Sequence, residues 1–320
     1  MSYKPASLKE AARSLAASFG VPLGLFLLLA LAALYVFSGR TFNTSSVFPR
    51  SQRDFMAGAK ASRRIAELKA VIEADPDNMR ALAESGKLKY QAGPASYVEA
   101  IADLERARSL GLAEVSSFYY LGQMYQSVGL YEFAQQEYRK FLNNEPNDAE
   151  VRMLLAKLCY STGDFPCAQK EYERLLGARG GDPVLLENLA FARWKNGQDY
   201  QPQLEKLRAA GAQGGFLADF AEGRIAYERK DYPRAYDSLK KAAAQAGSAG
   251  DFADRAQLYW LAGDSAARVK QAGDAYAWLQ ELLQLNPEHQ EGKLLFAKVE
   301  KARKAAEKTA ERTAAKKGPR

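Results

Sequence analysis

From about Gln52 onward, apolar residues recur every three or four positions, the spacing that gathers them on one face of a helix. Ile65, Leu68 and Ile72 form the first such stripe, closed by Asp75-Pro76; Leu294, Leu295 and Val299 form the last. Strictly alternating apolar and polar runs, the signature of half-buried strands, are almost absent, so the pattern predicts an all-α chain. One stretch follows a different rule. Ser14 to Gly39 carries no charged residue, and its centre, Val21–Phe37, is dense in Leu and aromatic side chains. As a helix, these 26 residues reach about 39 Å, against a hydrocarbon core of about 30 Å. The pattern therefore predicts a transmembrane helix over 20–38, behind a polar leader at 1–19. Lys4, Lys9 and Arg13 on one flank balance Arg40, Arg50 and Arg53 on the other, so charge alone leaves the orientation open. Ala30-Leu31-Ala32 also offers a small-x-small site, and cleavage of the segment stays open.

The most regular unit lies at Ser116–Pro146. It carries Leu121-Gly122, Tyr125, Gly129, Tyr131, Ala134, Tyr138 and Pro146. Gly122 and Ala134 are small enough for two antiparallel helices to approach, and Tyr125 and Tyr138 fill the space between them. Gly129 permits the turn, and Pro146 stops the second helix. The same order returns along the chain. Gly86, Ala100, Leu104 and Ala107 carry it in 78–111; Ala156, Gly163, Ala168 and Tyr172 carry it in 149–182. Gly223, Ala235, Leu239 and Ala242 repeat it from about Gly215, and Gly263, Ala275, Leu279 and Pro287 close the series. The unit from 183 is degenerate. Leu189-Ala190 and Gly197 fit, but Gln201–Gly215 lacks the small residue expected early in a second helix, which predicts a shortened one. Gly180-Gly181 and Gly214-Gly215 follow no strand and read as turns between helices rather than phosphate loops.

This order of residues, at a period close to 34, resembles the tetratricopeptide repeat family. The resemblance implies an α-solenoid, a right-handed superhelix of helix hairpins, here with an N-terminal transmembrane helix. After the leader and the membrane segment come a linker at 39–51 and a capping half-repeat at 52–77. About five full repeats follow at 78–287, then a capping helix at 288–310 and a basic tail at 311–320.

Charge and chemistry narrow the picture. The net charge is +7, but nine Lys/Arg and three Glu between Lys298 and Arg320 supply +6 of it. The remainder is nearly neutral, so no basic face for nucleic acid is expected. The single histidine, His289, and two cysteines, Cys159 and Cys167, are too few for a structural zinc site. No catalytic constellation, metal or cofactor is expected. Cys159 and Cys167 fall in one hairpin, so a disulfide is geometrically conceivable; two buried thiols are the alternative.

In the tetratricopeptide family, ligands lie along a concave wall built from the first helix of each repeat. Carried over, that wall comprises Tyr119, Tyr120, Gln123, Lys157, Tyr160, Asn188, Phe191, Trp194, Arg224, Tyr227 and Trp260. Aromatic side chains with polar tips are typical anchors of protein interfaces. The resemblance thus implies a membrane-tethered scaffold that binds partner proteins and assembles or stabilises a membrane or envelope complex. A periplasmic carrier or chaperone for newly exported chains is the other reading. The expected location is a bacterial inner membrane, single-pass, with the repeats on the periplasmic side. Self-association stays open.

Overall fold

The computed structural model describes residues 48–50, 58–247 and 254–316. The leader, the transmembrane segment expected at 20–38, most of the linker and the end of the basic tail lie outside these residues. Among the described residues, no helix is long and apolar enough to cross a membrane. They form fourteen α-helices and no strand. The chain divides into two units, one comprising residues up to Met124 with Lys140–Asp148, the other Tyr125–Arg139 with everything from Ala149.

The first unit holds α1 (Gly58–Ala74), α2 (Met79–Ala92), α3 (Tyr97–Ser109), most of α4 (Val115–Ser127) and the end of α5 (Tyr131–Asn144). Leu68 and Ala61 of α1 are buried against Ala81 and Leu88 of α2, with Ile65 and Ile72 beside them, so the first stripe faces the next helix. Asn78 starts α2 by accepting a hydrogen bond from the Ala81 amide at 3.1 Å. Gly86 brings α2 close to α3: a Cβ there would lie 2.6 Å from Leu104 Cγ.

The second unit begins with the first part of α5. It continues through α6 (Ala149–Ser161), α7 (Phe165–Arg179), α8 (Pro183–Lys195), α9 (Gln201–Ala209), α10 (Gly211–Glu228) and α11 (Tyr232–Gln245). It ends with α12 (Arg255–Arg268), α13 (Ala272–Leu285) and α14 (Gln290–Lys316). Successive helices from α6 onward pack on one another, and around the short α9 the helix α8 touches α10 as well. First helices also meet first helices: α10 packs on α12 and α12 on α14. A Cβ at Gly223 or Gly263 would come within 2.5 or 2.8 Å of Leu239 or Leu279 on the partner helix. These glycines therefore set the helix separation.

The turns repeat one device. Gly129, Gly163 and Gly197 sit at φ 81°, 82° and 70°, and the amide that follows each reaches back to close the helix end. Leu130 donates to the Tyr125 carbonyl, Asp164 to Cys159 and Gln198 to Arg193. At the equivalent turns after α10 and α12, the left-handed place is held by Lys230 and Lys270, with the same closing bonds from Asp231 and Gln271.

Three sequence expectations need correction. Gly214-Gly215 is not a turn but lies inside α10. That helix starts one residue after α9, so tightly that a Cβ at Gly214 would fall 2.1 Å from the Leu207 carbonyl oxygen. Second, Leu294 is 75% exposed; the seam of α14 is made by Leu295, Phe296 and Val299. Third, α14 runs unbroken to Lys316, into the stretch expected as tail, because Ala, Lys, Glu and Arg all favour helix. The nine-residue α9 is the shortened helix that its sequence predicts.

Candidate protein-binding faces

In the first unit, α4 places Tyr119 and Tyr120 on the face expected to meet a ligand. Both are buried, at 3% and 2% exposure, and what covers them is the chain itself. Phe48 sets its ring edge-on against Tyr119, Tyr120 and Phe141 at 5.3, 5.7 and 5.9 Å. The Tyr120 hydroxyl donates to the Pro49 carbonyl at 2.7 Å. Arg50 forms a two-point ion pair with the Asp148 carboxylate, and its guanidinium lies 5.2 Å from the Tyr119 ring centroid. Residues 48–50, within the stretch expected as linker, dock on this face, and burial pushes the Tyr120 phenol well above its usual range. Gln123 remains half-buried on the same helix.

In the second unit, Lys157 is exposed on α6, whereas Tyr160, Asn188, Trp194, Arg224, Tyr227 and Trp260 are half-buried. Phe191 is buried, with Arg224 stacked 4.3 Å from its ring centroid and 5.4 Å from that of Phe220. Arg224 also lies 3.6 Å from Glu187 on α8. Lys195 sits 4.2 Å over the Trp194 ring and pairs with Glu228 at the end of α10 at 2.5 Å. Tyr160 faces the same charges: burial raises its phenol, Glu228 adds to the shift and Arg224 opposes it. One helix further on, the Tyr227 hydroxyl donates to Asp264 of α12 at 2.7 Å, and Arg268 pairs with the same carboxylate. Trp260 instead lies against His289, 4.9 Å between ring centroids. His289 accepts from the Gly292 amide at the start of α14, so this lone histidine serves as a helix cap.

The structure therefore sets Tyr160, Trp194, Tyr227 and Trp260 against one core cluster that includes Phe191, with Arg224 stacked on Phe191, while Trp260 also reaches the next cluster. Sequence reasoning missed Glu187, Lys195, Glu228 and Asp264, which hold the expected residues in place. The available signal was opposite charges roughly one repeat apart on successive first helices. Cys159 and Cys167 are bridged across the α6–α7 hairpin, with Cα atoms 5.8 Å apart. Beside them Asp164 caps α7 by accepting from the Cys167 amide.

Helix pairs closed by small residues, with first helices packed on first helices, define the tetratricopeptide repeat fold. The solved C-terminal part of a TPR repeat-containing protein from Cytophaga hutchinsonii is similar to this chain. The match covers 74% of this chain and 94% of that one, at 17% identity and a TM-score of 0.52. A tetratricopeptide repeat protein from Parabacteroides merdae matches 78% of this chain and 95% of its own, at 15% identity and a TM-score of 0.48. No family model and no curated protein matches the chain.

Proposed function

We propose that this chain is a non-catalytic scaffold that binds partner proteins through the aromatic and charged face of α6, α8 and α10. The observation that carries the reading is Arg224, stacked on Phe191 and steadied by Glu187 on the neighbouring helix. Such pre-ordered aromatic and cationic groups lose little freedom when a partner docks, which favours them as interface anchors. Lys195 over Trp194 extends the same arrangement.

The uncharged stretch Ser14–Gly39 supports a membrane tether at 20–38; we place it in a bacterial inner membrane with the repeats on the periplasmic side. The Cys159–Cys167 bridge fits an oxidising compartment. Tethering in two dimensions raises the effective concentration of bound subunits, which is how such a scaffold would assemble or stabilise an envelope complex.

A photo-crosslinker placed at Lys157 or Asn188 in intact membranes tests this. It should capture the same partner reproducibly, and the triple substitution Phe191→Ala, Trp194→Ala and Arg224→Ala should abolish capture while the helical circular dichroism is unchanged. Capture that persists in the folded triple variant sinks the assignment of this face.

A further inference from the structure

Phe48, Pro49 and Arg50 lie on the first unit as a bound peptide would. They belong to no helix, and residues 51–57 separate them from α1. Each of the three meets a different recognition element. The Phe48 ring enters a nest of Tyr119, Tyr120 and Phe141, all edge-on. The Pro49 main-chain carbonyl is read by the Tyr120 hydroxyl, a contact indifferent to side-chain identity. Arg50 gives both terminal nitrogens to Asp148, at 2.5 and 3.2 Å, and Asp148 is only 5% exposed.

A carboxylate that deeply buried requires a cation, and two parallel hydrogen bonds require the planar fork of arginine rather than the point charge of lysine. The Arg50 guanidinium also spans the Tyr119 and Phe141 rings at 5.2 and 5.6 Å, so ring and charge are read together. Proline between the two anchors fixes φ and lowers the entropy lost on docking. One main-chain contact flanked by two specific side-chain contacts is how peptide sites obtain both affinity and selectivity.

We propose that Tyr119, Tyr120, Phe141 and Asp148 form a recognition site for an aromatic–Pro–Arg segment, filled in cis by Phe48–Arg50. A partner protein presenting the same three side chains in the same order displaces that segment. The inference rests on the scaffold reading, and it assigns the first unit a partner chemistry of its own. A cis segment on a short tether competes at an effective concentration in the millimolar range, so exchange needs a partner with additional contacts or a freed tether.

The test uses the full chain in mild detergent and a fluorescent peptide of residues 44–53. Chains carrying Phe48→Ala with Arg50→Ala should bind this peptide at least tenfold more tightly than wild type, because the internal competitor is gone. Binding to that variant should fall at least tenfold when the peptide carries Arg50→Lys, and likewise when the chain also carries Asp148→Asn. No binding by the folded double variant, or binding indifferent to Arg50→Lys in the peptide, overturns the proposal. A wild-type chain that dimerises and turns monomeric on Phe48→Ala with Arg50→Ala also overturns it, in favour of exchange of this segment between copies. Because the peptide-side substitution cannot disturb folding of the chain, a destabilised Asp148→Asn variant does not rescue the idea. Crosslinking at Lys157 reports on the second unit, so the scaffold reading stands or falls separately.

Discussion

Arg50 closes a two-point ion pair on Asp148 across a separation of 98 residues, with the shorter contact at 2.5 Å. Asp148 is 5% exposed and Arg50 20%. Removing one partner of a well-buried pair costs about 3–5 kcal/mol, and the partial exposure of Arg50 reduces that to about 2 kcal/mol here. Arg50→Ala should therefore lower stability by about that amount, with Arg50→Lys recovering less than half of it. A urea-denaturation cycle over Arg50→Ala, Asp148→Asn and the double variant measures the coupling. A coupling near zero would mean that the segment docks through Phe48 alone.

The contrast between this pair and the repeat core shows what was legible. Gly86, Gly223 and Gly263 reveal themselves by spacing, because a helix pair has one close-approach point per repeat and only a small residue fits it. Ile65, Leu68 and Ile72 reveal a face by periodicity alone. Phe48 and Arg50 gave no such signal: three residues in irregular backbone have no period, and their partner lies far along the chain. Tyr119 and Tyr120 were placed on the correct helix, but which neighbour covers them is a tertiary fact. Glu187 and Arg224 stand between these cases, since opposite charges at repeat spacing hint at a contact without fixing it.

Two half-buried carboxylates on neighbouring first helices should respond to pH in opposite directions. Burial raises the Glu222 carboxyl, but hydrogen bonds and charge from Arg234 and Arg208 outweigh it and hold the group below the usual range. A depressed folded value means stability that is present above the unfolded value of about 4.3 and is lost as pH falls through the folded one. Glu222→Gln should cost about 1–2 kcal/mol at pH 7 and converge on wild type as pH falls through the lowered folded value. For Glu187, burial raises the carboxyl and Arg224 compensates only in part. Its contribution is complete below the unfolded value and is lost as pH rises through the raised one. Glu187→Gln should then be at least as stable as wild type at pH 7 and indistinguishable from it below about pH 4. Urea denaturation between pH 3 and 8 reads both; parallel curves for the two variants would refute the assignment.

The glycines and lysines of the repeats make a matched set of stability predictions. Gly223→Ala and Gly263→Ala drive a methyl into Leu239 and Leu279, and each should cost about 1–2 kcal/mol despite better helix propensity. Lys230 and Lys270 stand where other repeats have glycine, at φ 62° and 63°. Lys230→Gly and Lys270→Gly should each stabilise by about 0.5–1 kcal/mol, the relief of left-handed strain exceeding the entropy glycine loses. Thermal melts of the four variants check the signs. Destabilisation by both lysine substitutions would show that their side chains, and not the backbone, dominate at these turns.

Cys159 is fully buried on α6, and Cys167 lies eight residues later near the start of α7. A bridge over so short a loop restricts the unfolded chain modestly, by about 2–3 kcal/mol. Reduction should lower the unfolding free energy from urea denaturation by that amount, and the paired substitution Cys159→Ala with Cys167→Ala should match the reduced wild type while abolishing its response to reductant. Alkylation in denaturant, without reductant, reads the native redox state directly: chain purified from membranes should take up no label at either cysteine. The same assay bears on location, because bridges of this kind persist outside the cytosol and are reduced within it. Two labelled thiols on freshly extracted chain would remove the bridge from the native hairpin, and with it the support for placing the repeats on the periplasmic side.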